Sequence, residues 1–337
     1  MSNDLRKMSD HEFISYCYKK LLRRLPDKES LGFYLDLFTS KGITKEEFLQ
    51  TLMSCDEFEE KLASQEFVSP GHFYSAVPSI EERLAFCDNE EIECRSLDGI
   101  SLNVEKQIDL LFEFSKHCNE CPFPDKRTDE FRYHFINEAY SYSDALILYS
   151  MIRHYRPKRI IEIGSGFSSC VMLDTNQLYF NGEIDIKFIE PYPDRLLKLI
   201  KDADRKCLFA DNKLQNVDVR IFENLEENDI LFIDSTHVTK LNSDVNKIIF
   251  KILPLLKKGV IVHFHDIFWP FEYPKHWIRE GRAWNEAYIL HAFLKYNNNY
   301  EIMFFYDYLH KYHNEIIKEK LPLCLKGPGC NLWIKKV

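Results

Sequence analysis

The sequence predicts an α/β fold: a Rossmann-like sheet of about seven strands with helices on both faces, preceded by a small all-α domain. From Ser143 onwards, short apolar segments alternate with helical segments, which is typical of a parallel sheet with crossover helices. Before residue 67, apolar residues recur at helical spacing. With 337 residues, the chain is long enough for one large domain and one small one.

The helix signals in the first part of the chain are local. Apolar residues recur at helical spacing between Phe13 and Leu22, and Pro26 ends this helix because proline disfavours helix in the residue before it. Thr44 and Glu47 form a capping box at the start of a later helix. We divide the chain into a small helical domain, a helical and aromatic connector or lid, and a domain that carries the sheet. These three parts are residues 1–66, 67–142 and 143–337.

Composition argues against several classes of protein. Asp and Glu (53) outnumber Lys and Arg (44), which gives a formal charge of −9 and argues against binding nucleic acid through the overall field. The first ten residues are polar and do not form a secretory signal, and no apolar run reaches the roughly 20 residues that span a bilayer. Ten cysteines without a disulfide pattern favour reduced thiols and a cytoplasmic location.

Two of the cysteines have the spacing of half a zinc motif. Cys118 and Cys121 form a Cys-x-x-Cys pair. A structural zinc ion needs two further ligands, and Cys324 and Cys330 have poor spacing for a second pair. The sequence therefore does not favour a structural zinc site.

A glycine turn joins the first predicted strand to the helix that follows it. The turn Gly164-Ser165-Gly166 comes directly after an apolar strand, and glycines at this place let the backbone approach a ligand closely. A dinucleotide site usually has a third glycine where this chain has Ser169, and its strand usually lacks a carboxylate such as Glu162. A nicotinamide-dependent oxidoreductase is therefore disfavoured.

Acidic residues follow the later strands. Glu190 directly follows the second strand, Asp234 directly follows the fourth, and Asp266 lies just after the fifth. Glu190 lies about 26 residues after Gly164, near the spacing at which an acid meets a ribose in this topology, and its two oxygens accept protons from two hydroxyls. Because ligands bind at the carboxyl ends of such strands, we expect these acids and Glu162 to surround one crevice. The predicted strands are Ile184–Ile189, Asp229–Ile233 and Gly259–Phe264.

The order of these motifs resembles class I S-adenosylmethionine-dependent methyltransferases, and most closely a bacterial family encoded near cell-surface glycan genes. The motifs are EIGSGFSS, FIEPYP, LFIDSTHV and VHFHDIFWPFEYP, and the resemblance covers residues 70–337 approximately. It implies a catalytic methyltransferase domain with S-adenosylmethionine as cofactor, and Glu162 then suits the ammonium group of the methionine moiety. The residues expected to bind the cofactor are Glu162, Gly164, Ser165, Gly166, Ser168, Glu190 and Asp234.

A second resemblance concerns the first part of the chain. The phrases LLRRLPD and SCDEF resemble the small helical domain of unknown function that is often fused to bacterial surface-glycan enzymes. This resemblance implies a role in docking to glycan-assembly proteins or in positioning the enzyme. Together, the two resemblances favour O-methylation of a saccharide or a glycan-linked acceptor.

Methyl transfer to a sugar hydroxyl needs a base or a metal to remove the proton. We favour His265 or His237 as the general base, with Asp234 and Asp266 orienting the imidazole. The alternative is a divalent ion held by Asp234 and Asp266, with His265 or His237 completing the set. Related sugar O-methyltransferases with acids at these strand ends use magnesium, but His265 stands beside Asp266 where a second acid is expected, and histidine suits a transition metal better. A metal is therefore possible but not favoured.

Aromatic and basic residues are the candidates for binding the acceptor. Several aromatic residues follow the fifth strand, where they are suited to stack on a sugar or to form core. The predicted substrate residues are His72, Tyr74, Trp269, Tyr273 and Arg282. Two alternatives stay open: N- or carboxyl methylation of another small metabolite, and a non-catalytic protein that keeps the cofactor fold.

Overall fold

The computed structural model describes residues 8–22, 24–58, 68–90 and 93–337. The chain forms two units, Met1–Ser79 and Ile80–Val337. The predicted boundary between residues 66 and 67 lies outside the described residues. Residues 80–142, which are part of the predicted connector, belong to the second unit together with the sheet. Within the described residues, no helix is both long and apolar enough to cross a membrane.

The first unit is helical, as predicted. The predicted capping box is present: the Thr44 hydroxyl accepts from the Glu47 N–H, and the Glu47 carboxylate accepts from the Thr44 N–H. Phe13 and Phe48 are fully buried and pack edge to face in the core of this unit. Its described helices are α1 (Asp10–Cys17), a π-helical turn over Tyr18–Leu22, α2 (Lys28–Ser40) and α3 (Lys45–Met53).

The second unit contains a sheet whose described part has seven strands, in agreement with the predicted fold class. They are β1 (Arg159–Ile163), β2 (Asp185–Ile189), β3 (Leu208–Ala210), β4 (Ile230–Ile233), β5 (Ile261–His265), β6 (Tyr300–Phe305) and β7 (Asn331–Lys336). Their order is β3-β2-β1-β4-β5-β7-β6, and β7 runs antiparallel to both of its neighbours. The antiparallel strand distinguishes this sheet from the parallel dinucleotide-binding order 3-2-1-4-5-6.

Helices lie between the strands and before the sheet. The described α-helices are α4 (Ile80–Asp88), α5 (Val104–Cys118), α6 (Tyr142–Tyr155), α7 (Phe167–Tyr179), α8 (Asp194–Leu199), α9 (Asp244–Lys247), α10 (Lys275–Glu280), α11 (Glu286–Leu294), α12 (Tyr306–Tyr312) and α13 (Asn314–Lys320). After α9 the chain continues in a π-helical turn over Ile248–Ile252 and a 3-10 turn over Leu253–Leu255. Further 3-10 turns are Asp202–Cys207, Leu214–Asn216, Val219–Asn224 and Pro322–Lys326.

The predicted second, fourth and fifth strands agree with the observed ones to within one or two residues at each end. The fifth strand begins at Ile261 rather than at Gly259, because Gly259 has φ +90° and makes a turn before the strand. The second begins at Asp185 rather than Ile184, and the fourth at Ile230 rather than Asp229. The second and fourth strands end as predicted, one residue before Glu190 and Asp234, and the fifth extends one residue beyond its predicted end, to His265.

The aromatic segment before α6 is held against the sheet domain by ion pairs. Arg132 bonds to Asp174 on α7 and to Asp204, with a distance of 2.7 Å to each carboxylate. These three side chains are largely buried, so the pairs replace the hydration that each charge loses. Part of the predicted connector is thus an integral layer of the second unit.

Candidate active site

One cavity lies at the carboxyl ends of β1, β2 and β4. It has a volume of about 500 Å³, and its walls include Gly164, Glu190 and Asp234. Strand order reverses between β1 and β4, where ligands bind in open α/β sheets. The structure therefore brings together three residues that the sequence predicted for one site. This volume lies within the usual range for small-ligand pockets.

The turn after β1 needs glycine for two separate reasons. Gly164 has φ +80°, a left-handed conformation that side chains rarely adopt. A Cβ atom at this position would also lie 1.7 Å from the carbonyl oxygen of Asp234. The N–H of Gly164 donates to the Ile189 carbonyl, and the N–H of Asp234 donates to the Ile163 carbonyl. The ends of β1, β2 and β4 are therefore joined closely at the floor of the cavity.

Glu190 is held by backbone groups at the end of β2. Its Oε2 accepts from the N–H of Ser165 at 2.9 Å, and its Oε1 accepts from the N–H of Tyr192 at 2.8 Å. Each carboxylate oxygen has room for a second hydrogen bond. Glu190 also lines a neighbouring cavity of about 580 Å³, together with Ser165 and Tyr192. The carboxylate is therefore oriented toward open space where a ribose can bind.

Glu162 has a different environment from the other acids. It is fully buried, and its carboxylate accepts hydrogen bonds from the hydroxyls of Ser168, at 2.6 Å, and Ser169. The Ser169 hydroxyl in turn accepts from the N–H of Gly166. Burial raises the pKa of Glu162 to about 8, although the bonds from the serines lower it. The structure thus shows Glu162 fixing the glycine turn from behind through Ser169, while Ser168 bonds to the same carboxylate.

The residues that line the cavity fit S-adenosylmethionine. Gly164 lets the backbone come close to a ligand, and Glu190 offers carboxylate oxygens to two ribose hydroxyls. Asp234 is 35% exposed at the same cavity. These residues would hold the nucleoside part of the cofactor at the ends of β1, β2 and β4.

His237 lies among three carboxylates beside this cavity. Its Nδ1 lies 2.8 Å from Glu286 Oε2, and its Nε2 lies 3.4 Å from Asp234 Oδ1 and 3.6 Å from Asp266 Oδ2. Burial opposes the charged ring, but the bonds to Asp234 and Glu286 outweigh it and raise the pKa of His237 to about 10. Burial would also raise the pKa of Asp234, but His265 and His237 hold it below its ordinary value.

His265 belongs to a second cluster on the other side of Asp266. Its Nε2 lies 3.6 Å from Asp266 Oδ1, and it offers a ligand atom within 4.8 Å of those of Asp144 and Cys330. The ligand atoms of Asp234, His237 and Asp266 form a separate group with the same spacing. Of the predicted metal ligands, Asp234 and Asp266 therefore lie together with His237, whereas His265 belongs to the other group.

The predicted acceptor residues are distributed differently from the sequence expectation. Trp269 is 1% exposed and its indole N–H donates to the Cys94 carbonyl, so it forms core and presents no open ring face to an acceptor. Tyr273 is buried, and its hydroxyl accepts from the N–H of Ala287 at 3.1 Å. Arg282 lies across the rings of two half-buried aromatic residues, Trp277 and Trp284.

Trp284 connects these aromatic residues to the acidic cluster. Its ring centroid lies 4.4 Å from that of His237 and 6.0 Å from that of Tyr273. His72 and Tyr74 belong to the first unit, where both rings pack with Phe73. Their contact with a substrate stays a prediction.

Three residues of this region were not predicted from the sequence: Asp144, Glu286 and Cys330. Glu286 is 1% exposed and bonds to His237 from the start of α11. The sequence contained one signal for Glu286. It lies four residues before Leu290, and this spacing places its carboxylate on the apolar face of the helix. Asp144 and Cys330 gave no local signal, since each lies in an ordinary position next to an apolar segment.

Comparison with known proteins identifies relatives of both parts of the chain. A model of a domain of unknown function (DUF4214) matches residues 2–62, and a model of a methyltransferase domain matches residues 161–267. An uncharacterised protein of Archaeoglobus fulgidus is 37% identical over 169 residues, which are 47% of this chain and 74% of that protein.

A remote likeness to a solved structure was also found. The S-adenosylhomocysteine-bound Podospora anserina methyltransferase PaMTH1 has a TM-score of 0.35 and 15% identity, over 81% of this chain and 100% of that chain. This likeness is too distant to bear on the function of this chain. The sheet order, the cavity at β1, β2 and β4, and the matching methyltransferase domain agree with one another. The chain belongs to the same family as the archaeal protein, and it is an S-adenosylmethionine-dependent methyltransferase.

Proposed function

We propose that the enzyme methylates a hydroxyl group of a saccharide or a glycan-linked acceptor. The observation that carries this proposal is the group of Asp234, His237 and Asp266 at the edge of the cofactor cavity. A hydroxyl is a poor nucleophile at neutral pH, so it needs a nearby group that accepts its proton. S-adenosylmethionine supplies the methyl group when it is bound. The residues of the chain orient the acceptor and accept its proton.

Asp234 is the proposed proton acceptor. It lines the cofactor cavity, and its side chain is about one third exposed, so it is able to contact both cofactor and acceptor. His237 does not have a free nitrogen for this role, because both of its ring nitrogens face carboxylates. We therefore propose that His237 positions Asp234 and Asp266, rather than acting as the base.

His265 supports the same group from the side of Asp266. Its carboxylate neighbours are Asp266 and Asp144, and its ring packs near that of Tyr140, with 5.3 Å between centroids. We expect His265→Ala to lower kcat by about 10²-fold or more while the Kd for S-adenosylhomocysteine stays within twofold. Calorimetry and steady-state kinetics on the same preparation measure the two effects. Full turnover in this variant would remove His265 from the catalytic group.

A saccharide acceptor is supported by the rings beside His237. Trp277 and Trp284 are half-buried, and Arg282 lies over both at 4.2 and 5.1 Å from the centroids. Apolar ring faces with a nearby polar group are typical of small-ligand sites. In this proposal, the acceptor binds beside Trp284 and His237, and its reacting hydroxyl lies at Asp234.

The test is methyl transfer from labelled S-adenosylmethionine to three panels: neutral and glycan-linked saccharides, amines, and carboxylic acids. The expected product is a methyl ether, which survives mild alkali, whereas a methyl ester is hydrolysed. Labelled amines or esters alone would favour the alternative of another small-metabolite methyltransferase. Binding of S-adenosylhomocysteine without transfer to any panel would contradict the proposed acceptor class.

The first unit has a proposed role of its own. We infer that it docks the enzyme to glycan-assembly proteins, on the basis of its resemblance to helical domains fused to surface-glycan enzymes. Leu25 and Phe33 are 68% and 60% exposed on this unit. Loss of co-purification with such proteins in a Leu25→Asp/Phe33→Asp variant that keeps methyl transfer would support the role.

A further inference from the structure

Three side chains of different chemistry meet beside Asp266. Asp144 lies in the first turn of α6, His265 ends β5, and Cys330 directly precedes β7. One ligand atom of each lies within 4.8 Å of the other two. Asp144 and His265 are 7% and 5% exposed, and Cys330 is partly buried. A carboxylate oxygen, an imidazole nitrogen and a thiol sulfur therefore surround one point that is mostly shielded from solvent.

The backbone around Cys330 is shaped for this close approach. A Cβ atom on Gly329 would lie 2.1 Å from Asp144 Oδ1 and 2.5 Å from the hydroxyl oxygen of Ser143. Asp144 Oδ1 also accepts from the N–H of Cys330 at 3.2 Å and from the Asn331 amide at 2.8 Å. Such bonds to a carboxylate orient it in the way that outer-shell groups orient metal ligands.

One polar group of the cluster lacks a hydrogen-bond partner among the described residues. Nδ1 of His265 is buried and has no hydrogen-bond partner among them. The Cys330 thiol donates to Asp266 Oδ1 at 2.9 Å. A buried carboxylate and an unpaired ring nitrogen cost free energy unless a cation or a donor satisfies them. A metal ion at this point would pair with both groups.

We propose that Asp144, His265 and Cys330 bind a zinc ion. Zinc accepts sulfur, nitrogen and oxygen ligands together, whereas magnesium prefers oxygen ligands. Three protein ligands leave a fourth position, as in zinc sites that act on a substrate. Binding displaces the proton of the Cys330 thiol to the buffer, and the resulting thiolate donates its electron pair to the ion.

Asp266 connects this zinc site to the proposed proton acceptor. Its Oδ1 lies 2.9 Å from Cys330 Sγ and 3.6 Å from His265 Nε2, and its Oδ2 lies 3.6 Å from His237 Nε2. The zinc ion would thus add positive charge behind the carboxylates that face the acceptor. This inference does not depend on which acceptor is methylated.

The test uses the full-length protein with Zn²⁺ and with Co²⁺ as a spectroscopic substitute. We expect about one equivalent of either metal per chain, and a near-ultraviolet thiolate-to-cobalt charge-transfer band that zinc abolishes. Cys330→Ser should remove the band, and Asp144→Asn should weaken metal binding by at least about 10-fold, since even the loss of a group that only orients a ligand costs that much. Cys207→Ser is the matched control, because Cys207 is also partly buried but lies outside the cluster, and it should keep the band.

Two further variants locate the ion and keep the test decisive. Asp234→Asn should keep the charge-transfer band, since Asp234 belongs to the other group of ligand atoms. His265→Asn should weaken metal binding, and it replaces Cys330→Ser if that variant does not fold. No thiolate band in the wild type, or a band that persists in Cys330→Ser, would overturn the zinc site. S-adenosylhomocysteine calorimetry on the same samples reports separately on the cofactor pocket.

Discussion

The two sides of the crevice are built from different kinds of contact. On the cofactor side, at the ends of β1 and β2, backbone N–H groups of Ser165 and Tyr192 hold the carboxylate of Glu190. On the proposed acceptor side, at the ends of β4 and β5, side chains hold side chains: His237 contacts Asp234, Asp266 and Glu286. A backbone-held acid depends on local chain geometry, whereas a side-chain cluster depends on the tertiary fold.

Backbone conformation differs in the same way. The cofactor side places glycine in the left-handed region, at Gly164 with φ +80°. The acceptor side places His237 and Asp266 in that region, with φ +58° and +56°. A side chain in this conformation costs about 1–2 kcal/mol, and such strain is concentrated at functional sites. The acceptor side therefore keeps two strained residues at positions whose side chains the proposed function uses.

The largest expected effect is at the glycine turn. Gly164→Ala should abolish measurable binding of S-adenosylhomocysteine and lower the free energy of unfolding by about 3 kcal/mol or more, because its Cβ would meet the Asp234 carbonyl. Chemical denaturation and calorimetry measure the two losses. If binding is retained, cofactor binding does not depend on the close approach of the Gly164 backbone to the Asp234 carbonyl.

Gly182→Ala separates conformational strain from steric contact. Gly182 has φ +77°, nearly that of Gly164, but a Cβ there meets nothing within 4 Å. We expect it to cost about 1–2 kcal/mol of stability and to leave cofactor affinity unchanged. Equal losses in the two alanine variants would show that backbone strain alone explains the Gly164 effect.

The difference between the two sides also explains which features of the site could be predicted from the sequence. The strands and the acids at their ends were predicted because apolar runs and the residues next to them are local features. Glu286 and Asp144 were missed because their partners are distant in sequence. Glu286 lies 49 residues after His237, and Asp144 lies 186 residues before Cys330. Trp269 was predicted to face an acceptor, since large rings suit a core and a binding wall equally well.

Glu190→Ala tests the ribose assignment on the cofactor side. The variant should weaken S-adenosylhomocysteine binding by about 1–3 kcal/mol, because two ribose hydroxyls lose their acceptor. Calorimetry measures the change, and turnover at saturating cofactor should fall much less. Glu183→Ala, an exposed carboxylate just before the opposite end of β2, is the control and should bind normally. Unchanged affinity in Glu190→Ala would remove the ribose assignment.

The smallest expected effect concerns Glu162, the buried acid behind the turn. Its pKa is raised to about 8 in the folded chain, chiefly by burial, so the folded state keeps a proton that the unfolded chain loses above its ordinary value of 4.5. This group therefore stabilises the fold less and less as pH rises from about 5 to 8.

Glu162→Gln removes that titration and keeps the shape of the side chain. As pH rises from about 5 to 8, the unfolding free energy of the variant should increase relative to that of the wild type by about 1 kcal/mol or more. Denaturant titrations at several pH values measure this difference, and groups that titrate equally in both proteins cancel. A difference that is flat with pH would mean that Glu162 is ionised in the folded protein, as a carboxylate facing the cofactor's ammonium group requires. The acid behind the turn would then belong to the binding surface together with Glu190.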